Sequence, residues 1–167
     1  MAYDTYDLMT STFSKMLPAL KGLIAKAEAD CTARKIEPEV FLKARLAPDM
    51  FDFTRQVQIT TDQVKGGMAR LAGAEVPSWP DDETSFAALS ARVDKALAFM
   101  KQFKAEQYKD AETRKIVLNF PNVTLEFIGR DYALGFVLPN FYFHMTAAYA
   151  ILRHNGVGLG KRDFLGG

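Results

Sequence analysis

Apolar residues recur at helical intervals in four long stretches of this chain and alternate with polar ones in a short stretch between the last two. In the first, Met9, Phe13, Met16, Leu17, Leu20, Leu23, Ile24 and Ala27 fall on one stripe. That spacing predicts a helix from about Asp4 to Ala33. Asp4 suits the N-cap, and Asp7 adds negative charge to the first turn. Pro18 lies inside the stripe and removes a backbone donor, which predicts a bend; the alternative is two shorter helices broken there. A short helix is expected over Ile36 to Arg45, with Pro38 in its first turn.

Ala47-Pro48-Asp49 reads as the next start signal, with Asp49 as N-cap and Asp52 three positions on. The second long helix then runs to Ala72 and stops at Gly73. Its stripe is Met50, Phe53, Val57, Val64, Met68 and Leu71, interrupted by the hydroxyls of Thr60 and Thr61. Gly66 and Gly67 weaken its end by about 1 kcal/mol each relative to alanine. Ala74 to Asp82 is a loop in which Pro77 and Pro80 flank Trp79. The third helix is expected from Ser85 to Glu106, burying Phe86, Leu89, Val93, Ala96, Leu97, Met100 and Phe103.

The period then changes. Arg114–Asn119 and Val123–Ile128 have strand composition, and Phe120-Pro121-Asn122 between them is turn chemistry. These predict a β-hairpin too small to stand alone, so it must pack on the helices. The last helix runs from about Pro139 to Asn155, with a possible turn upstream around Asp131 to Phe136. Arg153 and His154 close it, Asn155-Gly156 stops it, and Val157 to Gly167 is expected to lie extended along the surface. The sum is an all-α single domain over residues 1–167: a four-helix bundle with a small β-hairpin between the third and fourth helices.

Composition narrows the function classes. Of 167 residues, 49% are hydrophobic and 25% charged, enough for a packed core. Basic and acidic residues number 21 and 20, so the net charge of +1 gives no reason to expect nucleic acid or an anionic membrane as partner. Cys31 is the only cysteine, which excludes an intrachain disulfide and a cysteine-rich zinc site. No apolar run approaches the ~18 residues of a membrane span, and the acidic, polar start does not read as a signal peptide. A cytoplasmic location is expected.

Leu46-Ala-Pro-Asp-Met50-Phe51, Arg55-Gln-Val-Gln58, Arg70-Leu-Ala-Gly73 and the segment Leu138 to Gly166 resemble a bacterial family of uncharacterised domains within the DinB/YfiT-like superfamily of putative metalloenzymes. The resemblance covers essentially the whole chain. It implies an up-down-down-up four-helix bundle, and a homodimer, since many such proteins form dimers. Metal-binding members of the superfamily, among them thiol-dependent transferases and hydrolases, use one histidine on the second helix and two spaced four apart on the last. This chain has two histidines in all, so one copy of it cannot supply three. If His154 stands for the last histidine, the position four earlier is Ala150.

His144 and His154 lie ten apart, about 80° in azimuth and about 15 Å along an ideal helix, so one ion does not bind both unless the helix ends early and the chain folds back. His144 is the candidate acid–base residue, with Asn140 one turn back as its expected hydrogen-bond partner. Tyr142, Tyr149, Arg55, Asp49 and His154 complete the candidate binding set; Arg55 and Gln58 are expected to reach a neighbouring helix, Asp49 and Asp62 are the carboxylates nearest by helix for an ion on His144, and no metal ligand set is assigned. Asp49 has an equally good use as a cap and His154 as a helix-end cation. Lys161, Arg162 and Asp163 either close over a pocket or pin the tail by ion pairs. The expected function is small-molecule binding or regulation, with cofactor unknown. The alternative is an enzyme, either a divergent metal-dependent transferase or hydrolase or a metal-free acid–base catalyst built on His144. Whether a solvent-connected polar cavity or solid packing surrounds His144 separates these readings from a purely structural module.

Overall fold

The structure, a computed structural model, describes residues 4–167. The first helix, α1 (Thr5–Arg34), is one unbroken element. Asp4 caps it, its side chain accepting the Asp7 N–H at 2.8 Å. Pro18 is tolerated because it sits on the exposed side, while Met9, Phe13, Leu17, Leu20 and Leu23 are fully buried on the other. Each fully buried side chain of this size contributes roughly 1.5–3 kcal/mol, so the stripe outweighs one lost hydrogen bond. After α2 (Pro38–Leu42), shorter at both ends than its sequence suggests, the chain turns before the second long helix.

That helix, α3 (Phe53–Ala72), begins three residues later than Asp49 would place it. The Met50 N–H donates to the Ala47 carbonyl, closing a turn over the expected first residues, and Phe53 N–H reaches back to Ala44 O. Asp52 is the cap, accepting the Arg55 N–H at 2.9 Å. Asp49 is therefore an exposed turn residue, and Met50 lies outside the helix. Gly73 ends α3 in the left-handed conformation, φ 72°.

Helix α4 (Phe86–Met100) starts on its cap Ser85 but stops six residues short of Glu106. Phe103 is still buried, carried on a turn that leads into a 3-10 turn over Ala105–Tyr108. The hairpin β1 (Lys115–Phe120) and β2 (Val123–Ile128) pairs antiparallel with Ile116 opposite Phe127 and Leu118 opposite Leu125. One helical turn, α5 (Gly129–Asp131), and a π-helical turn over Tyr132–Val137 precede α6 (Leu138–His154). Pro139 cannot donate one turn back and its ring crowds that carbonyl, and the wider winding of the π turn accommodates both. The tail is not extended. It winds into α7 (Lys161–Phe164), and Asp163 reaches Lys26 of α1 at 2.6 Å while accepting the Gly160 N–H. Of the tail's charges, Asp163 is the one that pins it by an ion pair.

Helix α3 packs on both α4 and α6, and α1 packs on α4. Phe13 of α1 meets Phe141 of α6 at 4.9 Å between ring centres, closing the bundle around its core. Close approach explains two glycines. A Cβ on Gly67 would lie 2.8 Å from Val137, so α3 and the π turn touch backbone to side chain there. A Cβ on Gly129 would lie 1.7 Å from the Ala111 carbonyl. Gly129→Ala is expected to destabilise by about 1–3 kcal/mol or more through overpacking against that fixed backbone. Gly22→Ala, exposed on α1 with nothing within 4 Å, is expected to stabilise by about 0.4–1 kcal/mol. Urea unfolding of the two variants checks both signs.

Candidate functional site

Helices α3 and α6, the π turn and strand β1 surround an open cleft of about 650 Å³. His144 and Asn140 line it from α6, Asp62, Lys65 and Arg70 from α3, and Tyr132 from the π turn. The space beside His144 is thus solvent-connected and polar-lined. Apolar surface comes from Ile59, Val76, Leu118 and Phe136. A cleft of this size and mixed lining fits a small-molecule site.

The partner of His144 is not Asn140. The Asn140 amide donates to the Phe136 carbonyl at 2.7 Å, within its own helical stretch. His144 Nδ1 instead meets Gln56 Oε1 of α3 at 2.7 Å. Gln56 is itself 1% exposed, and its Nε2 donates to the Phe51 carbonyl at 3.2 Å. That second bond turns the amide oxygen toward the imidazole. An amide oxygen only accepts, so Nδ1 carries the proton and Nε2 is the acceptor of the neutral ring. Burial lowers the His144 pKa below its ordinary value, and the nearby Arg55 charge lowers it further. The imidazole is therefore held neutral near pH 7 with a fixed tautomer.

A second set of charges anchors the wall beside the cleft. The Arg92 side chain of α4 is 2% exposed and its guanidinium is fully engaged. Nε donates to Thr61 at 2.9 Å, Nη1 to the Pro80 carbonyl at 2.8 Å and to Glu83 at 2.9 Å, and Nη2 to Asp62 at 3.1 Å. Asp81 completes the set at 2.9 Å. Burial opposes the charge of Arg92, but the Glu83 hydrogen bond and the Asp62, Glu83 and Asp81 carboxylates outweigh it and raise its pKa. Trp79 lies among three cations, with Lys95 at 4.6 Å, Lys65 at 4.9 Å and Arg92 at 5.8 Å from its ring centre. Together these contacts fasten the loop between α3 and α4 to both helices.

The other sequence candidates scatter. Arg55 and Gln58 do not reach a neighbouring helix. They bind the loop instead, Arg55 pairing with Asp81 and Gln58 donating to Glu83 at 2.9 Å. Asp62 lines the cleft but is occupied by Lys65 and Arg92. Tyr142 is 39% exposed and packs edge-on against Phe141. Tyr149 packs against Phe164 of α7, so the two tyrosines do not join His144. Asp49 and His154 are exposed and outside the cleft lining. Gln56, Arg70, Tyr132 and Arg92 are the residues that sequence reading missed. Gln56 stands in the Arg55–Gln58 segment, but only the fold brings it to His144, 88 positions on. Among the described residues, no three His, Cys, Asp or Glu side chains come together as metal ligands. No helix among them is long and apolar enough to cross a membrane.

Two outcomes follow. The unfolded chain, with histidine near pH 6.5, takes up its proton before folded His144 does. Stability attributable to His144 is therefore complete above that pH and falls as pH drops toward the lower folded value. An NMR titration, assigned by loss of the signal in His144→Gln, should give a midpoint below about 6.5, and Arg55→Gln should raise it only partly because burial is the larger cause. Arg92→Leu leaves three carboxylates without their shared cation and is expected to cost roughly 3–5 kcal/mol in urea unfolding.

The geometry can be set beside known proteins. Among curated proteins, none matches this chain. A crystal structure described as a DinB family member protein from Shewanella denitrificans is similar with a TM-score of 0.88 and 41% identity, over 97% of this chain and 92% of that one. Residues 5–165 match the model of a family described as Domain of unknown function (DUF1993). A bundle of this shape, matched in sequence from α1 to the end of α7, places the chain plainly: it belongs to the DUF1993 family, with a DinB-like fold.

Proposed function

We propose that this chain is a small-molecule binding protein that does not use the superfamily's three-histidine metal site, and that the cleft beside His144 is where it binds. The observation that carries this reading is the Gln56–His144 bond at the edge of the cleft. Metal-binding relatives place one ligand on the second long helix and two, four apart, on the last. Here an amide of α3 faces an imidazole of α6, and the residue one turn before that imidazole is Asn140, whose amide is spent on Phe136. Amide side chains are poor ligands for zinc or nickel. The Nδ1 proton, directed at Gln56, leaves Nε2 as a hydrogen-bond acceptor for a bound molecule.

A second reading is favoured by the same tautomer. A neutral imidazole with a fixed acceptor nitrogen is what a general base requires, so a metal-free acid–base reaction on the bound molecule is the enzymatic alternative. A homodimer and a cytoplasmic location complete the proposal.

Protein purified without a histidine tag should carry far less than one equivalent of zinc, nickel or iron by elemental analysis. Near-stoichiometric metal overturns the metal-free reading. His144→Ala should keep the fold, judged by far-UV circular dichroism, and lose binding of cleft ligands. Unchanged binding and unchanged activity in that variant overturn a role for His144.

A further inference from the structure

The charges of the cleft are unequally committed. Asp62 pairs with Lys65 at 2.7 Å and with Arg92 at 3.1 Å, so its negative charge is already neutralised. Lys65 is occupied by Asp62 and lies over Trp79. Arg70 differs. Its Nη1 donates to the Tyr132 hydroxyl at 3.1 Å, and among the described residues no carboxylate lies within 4.0 Å of it. A neutral hydroxyl fixes the guanidinium without cancelling its charge.

The fold also makes room for that guanidinium. Gly66 stands one turn before Arg70 on α3, and a Cβ there would lie 2.5 Å from Nη1. The head group therefore rests over a bare stretch of helix backbone. Tyr132, which holds it, is 1% exposed and stacks on Phe136 with 5.7 Å between ring centres and 16° between planes. Burial raises the pKa of the Tyr132 hydroxyl despite the opposing effect of Arg70, so it stays protonated and neutral. Phe136 in turn lines the cleft.

We infer that the cleft selects a small monocarboxylate with an apolar body, its carboxylate bound by Arg70 and its body lying against Ile59, Val76, Leu118 and Phe136. This rests on the proposed small-molecule site and names the class of molecule it takes. A planar guanidinium matches a carboxylate with two parallel N–H donors. One uncommitted positive charge balances one negative charge. A phosphate monoester carries closer to two at pH 7 and would leave charge unmatched. The apolar lining disfavours a small, fully hydrated anion.

The test is a binding series followed by NMR, using hexanoate, phenylacetate and benzoate with their matching amides, and inorganic phosphate as a competitor. Carboxylates are expected to bind about tenfold more tightly than their amides and to shift the Arg70 side-chain N–H and His144 ring signals. Arg70→Gln should remove that preference. Gly66→Ala displaces only the end of a flexible side chain, so it should weaken carboxylates and leave amides unchanged in a protein of normal melting temperature. Equal binding of acids and amides, or a preference that survives Arg70→Gln, overturns the carboxylate assignment while leaving the small-molecule site standing. Displacement of hexanoate by phosphate at similar concentration overturns the monocarboxylate class. If no acid or amide shifts any cleft signal, both the assignment and the site are wrong.

Discussion

Helix α3 can be buried only if every polar group it carries inward finds a partner. It packs against α4, α6 and the π turn at once, so little of it is left to water. Gln56, Gln58, Thr60 and Thr61 are all at most 4% exposed. Thr60 bonds back to the Gln56 carbonyl and Thr61 to that of Gln58, at 2.7 and 2.8 Å. Gln56 takes His144, Gln58 takes Glu83, and Thr61 also accepts from Arg92. Among the described residues no buried side-chain nitrogen or oxygen lacks a partner. A single unmet group there would cost on the order of 1–3 kcal/mol, a large part of a small domain's stability. The cleft, the loop that borders it and the orientation of His144 all follow from meeting that demand.

Glycines on α3 extend the same logic. Gly66 and Gly67 weaken the helix as a helix, by about 1 kcal/mol each. In the folded chain one admits Val137 and the other admits a guanidinium. Local preference is given up where a side chain, of another element at Gly67 and of α3 itself at Gly66, must come closer than a Cβ allows. The π turn is a similar concession, made where Pro139 prevents ordinary winding.

The architecture was legible because it rests on period: the buried residues of α1 and α4 are largely those of the predicted stripes, and the hairpin follows from a change of spacing. Legibility failed where two local signals competed. Asp49 and Asp52 are both acceptable caps, and the Ala47–Met50 turn, invisible to composition, decides for Asp52. It failed again at the site, where sequence proximity favoured Asn140 for His144. The bundle instead brings Gln56 from a helix far back in the chain, while Asn140 bonds locally to a carbonyl of the π turn. The tail's helix α7 was missed because four residues carry too little periodicity to read, and its position depends on Lys26 of a distant helix.

The setting of Trp79 has an optical consequence. It is the only tryptophan in the chain, half-buried, and held between cations of α3 and α4. Indole emission responds to nearby charge and to water. The fluorescence of the intact protein is therefore a single-site signal from the loop wall, free of contributions from other indoles. Lys65 lies over this ring and also lines the cleft, so that signal comes from a charge cluster bordering the space beside His144.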